Sequence, residues 1–142
     1  MAVDQLTKAV SLRYLVAGES VPVIPNVFHL TLVSNTGIAF GFFKDHGTLL
    51  LLLISCSLLL LFWWGMKHGQ SSLTARVGLG LILGGAFGNW IDRVRVGGVI
   101  DFLDFRIWPV FNVADTAISI GVGLYLLLLF FPHKNSETVS AP

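Results

Sequence analysis

Charge is scarce in this sequence: Asp, Glu, Lys and Arg together make up 12% of its 142 residues, where a soluble domain carries about 25%. A globule this small would have too few charges to cover its surface, which excludes an ordinary water-soluble domain. A hydrophobic share of 54% excludes intrinsic disorder. The one cysteine, Cys56, rules out an internal disulfide and a cysteine-rich zinc site; within its apolar run it acts as a small hydrophobe. A net charge of +1 is no polybasic signature, so nucleic acid is not expected as a partner. HExxH is missing, and His29, His46, His68 and His133 are scattered, so no zinc site is expected. GxSxG and Cys/His arrangements are missing too. No cofactor is expected, although the outer carboxylates leave a hard cation open. The remaining class is a small integral membrane protein, read as one domain over residues 1–142.

What the chain has instead is apolar runs. Thr48 to Met66 holds 19 residues without a charge, close to the roughly 20 that cross a bilayer core. Trp63 and Trp64 close it, as interfacial aromatics do. Val77 to Ile91 is uncharged for 15 residues, about 22 Å as helix, which brings Asp92 and Arg93 to the membrane boundary. Its Gly80, Gly84 and Gly88 form a small-residue stripe for close helix approach. A last run, Phe111 to Phe131, starts near Asp115 and offers Ala117/Gly121 and Ser119/Gly123 for packing. The expected fold is an all-α polytopic membrane protein. It has three transmembrane helices, at 48–66, 74–92 and 111–131, a shortened helix over 1–19 and a polar tail at 132–142.

Ser20 to Phe43 is also uncharged, yet Pro22, Pro25, Asn26 and Asn35 argue against a spanning helix. Phe28 to Val33 alternates as a strand does, and Asn35-Thr36-Gly37 reads as a turn. Residues 20–46 are therefore expected to form a sheet-like cradle on the membrane surface. Lys67 and Arg76 flank one connection and Lys134 lies in the tail, so the positive-inside rule puts both on the cytoplasmic side. Val3, Leu6, Val10 and Tyr14 recur at helical spacing, which suggests an interfacial amphipathic helix.

Ionisable and amide groups beside spans are costly and usually functional. Here they cluster as Asn89, Asp92, Arg93, Arg95, Asp101, Asp104, Arg106, Asn112 and Asp115. Helical spacing puts Gly85, Asn89 and Asp92 on one face, and Asn112, Asp115 and Ser119 on another. If the two helices pack, Asn89 and Asp115 face one crevice. Structural readings stand beside the functional one: Asn112 with Asp115 also reads as a capping pair, and Asp92 with Arg93, like Asp104 with Arg106, as an ion pair. Asp101 lies between Ile100 and Phe102 with no adjacent cation, so desolvation should raise its pKa. Two close carboxylates would share a proton, one acting as base on a water while the other polarises a carbonyl. A small proton-coupled transporter would hold its acids at mid-depth, and a structural membrane subunit would need no polar cluster.

Five strings occur in order: Asp4-Gln5-Leu6-Thr7-Lys8; Asn35-Thr36-Gly37-Ile38-Ala39-Phe40-Gly41; Gly84 to Arg93, with Gly88-Asn89-Trp90-Ile91-Asp92-Arg93; Val99-Ile100-Asp101-Phe102; and Phe111-Asn112-Val113-Ala114-Asp115. Together they resemble the signal peptidase II family over roughly Asp4 to Phe131. The resemblance implies an aspartic endopeptidase of the bacterial cytoplasmic membrane. It would remove signal peptides from prolipoproteins, cutting before the diacylglyceryl-modified cysteine. It implies Asp101 and Asp115 as catalytic, with Asn89 and Asn112 lining the site, Asp92 and Arg93 supporting it, and Asp4, Asn35 and Gly37 near substrate. The implied partners are a lipidated prolipoprotein and membrane lipid, with the enzyme a monomer, its site extracytoplasmic and its C-terminus cytoplasmic. The family's first span includes the D-Q-x-T-K string, and only three residues precede it here, so a shortened first helix is expected. Phe105, Ile107 and Trp108 are expected to cover the site.

Overall fold

A computed structural model describes residues 1–37, 47–68 and 72–130. The cradle beyond Gly37, the middle of the 67–76 connection and the 132–142 tail lie outside the described residues. The elements run α1 (Ala2–Tyr14), β1 (Ser20–Ile24), β2 (Phe28–Asn35), α2 (Gly47–His68), α3 (Leu73–Val96), β3 (Val99–Asp104) and α4 (Val113–Phe130). The molecule is mostly helical with a small antiparallel sheet.

The leucine-rich run forms α2. Among the described residues it is the one helix long and apolar enough to cross a membrane, over Gly47–Lys67, and 6% of that window is buried inside the molecule. An apolar helix so little covered by its own protein is no soluble core helix; its Leu52, Leu59, Leu60 and Phe62 face outward. The shorter apolar helix Val113–Leu128 lies within α4.

Helix α3 starts at Ser72, whose hydroxyl accepts from the Ala75 N–H at 3.1 Å. It ends at Gly97, left-handed at φ 75°, a conformation glycine adopts without steric cost. It packs chiefly on α4. The glycines at that seam are Gly78, Gly85 and Gly121, with Gly88 alone of the expected stripe: a methyl on Gly85 would sit 2.5 Å from the Ala114 carbonyl oxygen, and one on Gly121 2.6 Å from that of Gly78. Gly80 and Gly123 face open space, and Gly84 meets only the amino terminus. Seven-residue spacing from Gly78 to Gly85 keeps one stripe facing α4, and Gly88 lies three residues on; Gly80 and Gly84 turn away from it.

The sheet order is β1-β2-β3. Asn26, at φ 62°, turns the chain between β1 and β2. Strand β3 was not expected, since its segment reads as part of a charged loop. It pairs with β2 through Val33↔Asp101 and Asn35↔Val99, and Leu103 then bridges to Phe111. That bridge delays the last helix, so α4 begins at Val113, not at Phe111.

Helix α1 is inside out relative to a soluble amphipathic helix. Asp4, Lys8 and Ser11 form its buried stripe, while Val3, Leu6, Val10 and Tyr14 are exposed. The helix is thus docked on α3, α4 and β3 by polar contacts rather than resting alone on a surface.

Candidate active site

Three elements bring the acidic cluster together. The β2–β3 pairing sets Asp101 beside Val33, with Asn35 and Val99 next along the same face. The first turn of α4 carries Asp115. The α3–α4 seam aims Asn89 at Asp115. A cavity of about 500 Å³ is lined by Val33, Asn35, Gly37, Asn89, Arg93, Val99, Asp101, Asp115 and the 108–111 segment.

The hydrogen bonds form one network. Asn112 is fully buried. Its Nδ2 donates to Asp101 Oδ1 at 2.6 Å and to Asn89 Oδ1 at 3.1 Å. Asn89 Nδ2 donates to Asp115 Oδ1 at 2.7 Å, and Asn35 Nδ2 to Asp101 Oδ2 at 3.1 Å. The capping pair expected of Asn112 and Asp115 is present: Asn112 Oδ1 accepts from the Asp115 N–H at 2.9 Å, and Asp115 Oδ2 from the Asn112 N–H at 3.2 Å. This reciprocal cap holds the Asp115 carboxylate at the positive end of α4. Each oxygen of both carboxylates therefore has an N–H aimed at it.

Asp101 is 2% exposed. Burial pushes its carboxyl up to about 6, and the neighbouring Asp115 charge adds to the rise; the Asn35 and Asn112 amides and the more distant Lys8 charge pull the other way. The expected rise from desolvation is present.

Other expected residues hold the walls. Arg93 donates to the Gly37 carbonyl at 3.0 Å and to that of Asn89 at 3.4 Å, tying β2's end to α3. Asp92 does not pair with Arg93: adjacent residues on a helix do not face each other, and Asp92 Oδ2 meets Lys8 Nζ at 2.6 Å. It also accepts from the Ile100 N–H at 3.3 Å. Asp4 lies behind the cavity rather than on it. It accepts from the Ala114 N–H at 3.0 Å and pairs with Lys8 at 3.1 Å. Asp104 does pair with Arg106, at 3.0 Å, and accepts from Thr31 on β2 at 2.8 Å, on the strand face opposite Asp101. Trp108 lines the cavity, Ile107 is 93% exposed, and Phe105 stacks on Phe111 and meets Phe28 at a tilt.

Sequence reasoning missed Lys8 and Gln5 as site-supporting residues. Gln5 Nε2 donates to Asp92 Oδ1 at 2.8 Å, and Lys8 Nζ to Asn89 Oδ1 at 2.8 Å. The signal was the i,i+4 spacing of Asp4 and Lys8 in a helix whose apolar residues lie elsewhere. A second cavity, about 590 Å³, runs between α2 and α3 along Leu58, Phe62, Leu83 and Phe87. It is the larger, but it faces another side of α3 and carries no titratable group.

Fold and site together define a mostly helical protein with a membrane-length apolar helix and a pair of carboxylates on one cavity. The chain belongs to the signal peptidase II family, whose description, Signal peptidase (SPase) II, matches residues 1–131. It is 42% identical to the lipoprotein signal peptidase of Halothermothrix orenii, covering 92% of this chain and 90% of that one. It is 41% identical to the lipoprotein signal peptidase of Brevibacillus brevis, covering 96% and 93%. Among solved structures, a bacterial membrane enzyme determined by the in meso method at 2.3 Å resolution superposes with a TM-score of 0.87 at 32% identity, covering 99% of this chain and 88% of that one.

Proposed function

We propose that this chain is an aspartic endopeptidase that removes the signal peptide from lipid-modified prolipoproteins, cutting before the diacylglyceryl-cysteine. One observation carries the mechanism: Asp101 and Asp115 share a cavity and share Asn112 as a hydrogen-bond partner. Asp101, whose environment favours the proton, acts as the acid. Asp115, at the helix N-terminus, acts as the base.

The Asp115 carboxylate takes a proton from water as the water oxygen attacks the scissile carbonyl carbon. Asp101 passes its proton to the carbonyl oxygen, giving a neutral gem-diol. Asp115 then returns its proton to the amide nitrogen while Asp101 recovers one from a diol hydroxyl. The C–N bond breaks, releasing a carboxylic acid and the amine of the lipidated cysteine. Asn89, Asn112 and Asn35 orient the two carboxylates, and Arg93 and Gly37 hold the cavity wall.

In this reading α2, α3 and α4 cross the bacterial cytoplasmic membrane and the enzyme acts as a monomer among lipid. The sheet and the α3–β3–α4 mouth face outward, and the C-terminus faces the cytoplasm. The substrate's own membrane helix would bring its scissile bond to that mouth. Asp115 sits in the first turn of α4, which speaks against a transporter acid at mid-depth.

The test is cleavage of a lipidated precursor by folded, membrane-inserted Asp101→Asn and Asp115→Asn. Each is expected to lose roughly 100- to 10,000-fold in kcat, the usual weight of general acid or base catalysis. Wild-type turnover in either removes that residue from the pair.

A further inference from the structure

Behind the cavity lies a cation that exchanges no proton in the two-carboxylate step. Lys8 is 2% exposed, a costly place for an ammonium. Asp92 and Asp4, 2.6 and 3.1 Å from its Nζ, account for its charge. The third contact, 2.8 Å to Asn89 Oδ1, is not needed for charge balance.

That contact matters because a carboxamide has two unlike ends. Asn89 Oδ1 accepts from Lys8 and from Asn112 Nδ2, while its Nδ2 donates to Asp115 Oδ1. An ammonium can only donate. The Asn112 amide is itself fixed, because its Oδ1 is held by the Asp115 N–H. Turning Asn89 over would set its Nδ2 against two donors and its Oδ1 against a carboxylate.

We propose that Lys8 is a positioning residue: it holds the Asn89 carboxamide with its N–H toward Asp115, and so keeps that carboxylate aimed for water activation. This rests on the reading of Asp101 and Asp115 as the catalytic pair. The charged groups around Lys8 are Asp4 on α1 and Asp92 on α3, with Arg95 of α3 lining the same small cavity of about 100 Å³. Beyond Asn89 stand Asp115 on α4, Asp101 on β3 and Arg93 on α3.

Lys8→Met would strand two buried acids and is expected to unfold the protein. Lys8→Gln combined with Asp92→Asn leaves the net charge of the cluster unchanged. Per folded enzyme, this double variant is expected to lose roughly tenfold to a hundredfold in kcat, the scale of a small misplacement, with KM little changed. The acid limb of its kcat/KM profile, which reports ionisation of the base, should move to higher pH. Wild-type kcat with an unmoved acid limb overturns the proposal, and so does a loss of activity that only follows the loss of folded protein. A second measurement needs no variant: the side-chain amide protons of Asn89 in the wild-type enzyme should exchange slowly with solvent, and fast exchange overturns the proposal. Failure of the underlying reading is separate, since it appears as cleavage by Asp115→Asn with Lys8 intact.

Discussion

Asp101 is the residue whose chemistry costs the fold most visibly. Its carboxyl titrates near 6 in the folded protein against an ordinary value of 3.8, chiefly because it is buried. Between those values the native state binds the proton that the unfolded chain has released, so the contribution of Asp101 to stability is most favourable at low pH and declines as pH rises from about 4 to 6. Asp101→Asn lacks this dependence. Thermal unfolding in detergent should therefore show the Tm difference moving in the variant's favour between pH 4 and pH 7. A constant difference would mean that burial does not govern this group. The same proton shapes the rate: kcat/KM of the wild type should fall above about pH 6 as Asp101 ionises in the free enzyme. In kcat the limb should lie higher, because bound substrate excludes more water.

At the scale of elements, the α3–α4 seam decides whether the site exists. Gly85 is where the backbones come closest, and the atom an added methyl would meet is a backbone oxygen at 2.5 Å, which cannot swing aside. Gly85→Ala should destabilise by roughly 1–3 kcal/mol through overpacking, and by shifting Asn89 relative to Asp115 it should lower turnover too. Gly80 meets nothing within 4 Å, so Gly80→Ala should be neutral or stabilising by up to about 1 kcal/mol from helix propensity. Paired unfolding curves check both; equal effects at the two positions would relocate the seam. The elements also show why β3 escaped a reading by pattern. Its residues are buried along nearly the whole strand, so no polar-apolar alternation marks it, and Asp101 and Asp104 make it look like a solvated loop. Strand β2 was legible because its Phe28 to Val33 run alternates.

The whole molecule must sit in the membrane one way round for a lipidated substrate to reach its cavity. The few cations at Lys67, Arg76 and Lys134 carry the orientation argument. With Cys56 replaced by Ser, single cysteines introduced as Glu19→Cys and Lys67→Cys should react with a membrane-impermeant thiol reagent from opposite sides of sealed cells, Glu19→Cys from outside. The reverse pattern would put the site on the cytoplasmic face and remove the proposed route for a lipidated substrate.

The apolar runs, the alternating strand, the capping pair and the ordered strings were all legible in one dimension. They arise from local requirements: lipid asks for unbroken apolar length, a sheet for period two, a helix start for an acceptor. Beyond Asn89 with Asp115, the pairings between distant segments were not legible. Lys8 with Asp92, Asn112 with Asp101 and Gly85 with Ala114 join residues distant in sequence, and helix α1 hides its polar stripe and exposes its apolar one, against the habit of soluble proteins. Sequence alone supplied the carboxylates and amides. Tertiary packing decided which amide faces which carboxylate, because hydrogen-bond geometry and desolvation exist only once separate segments close around the same space.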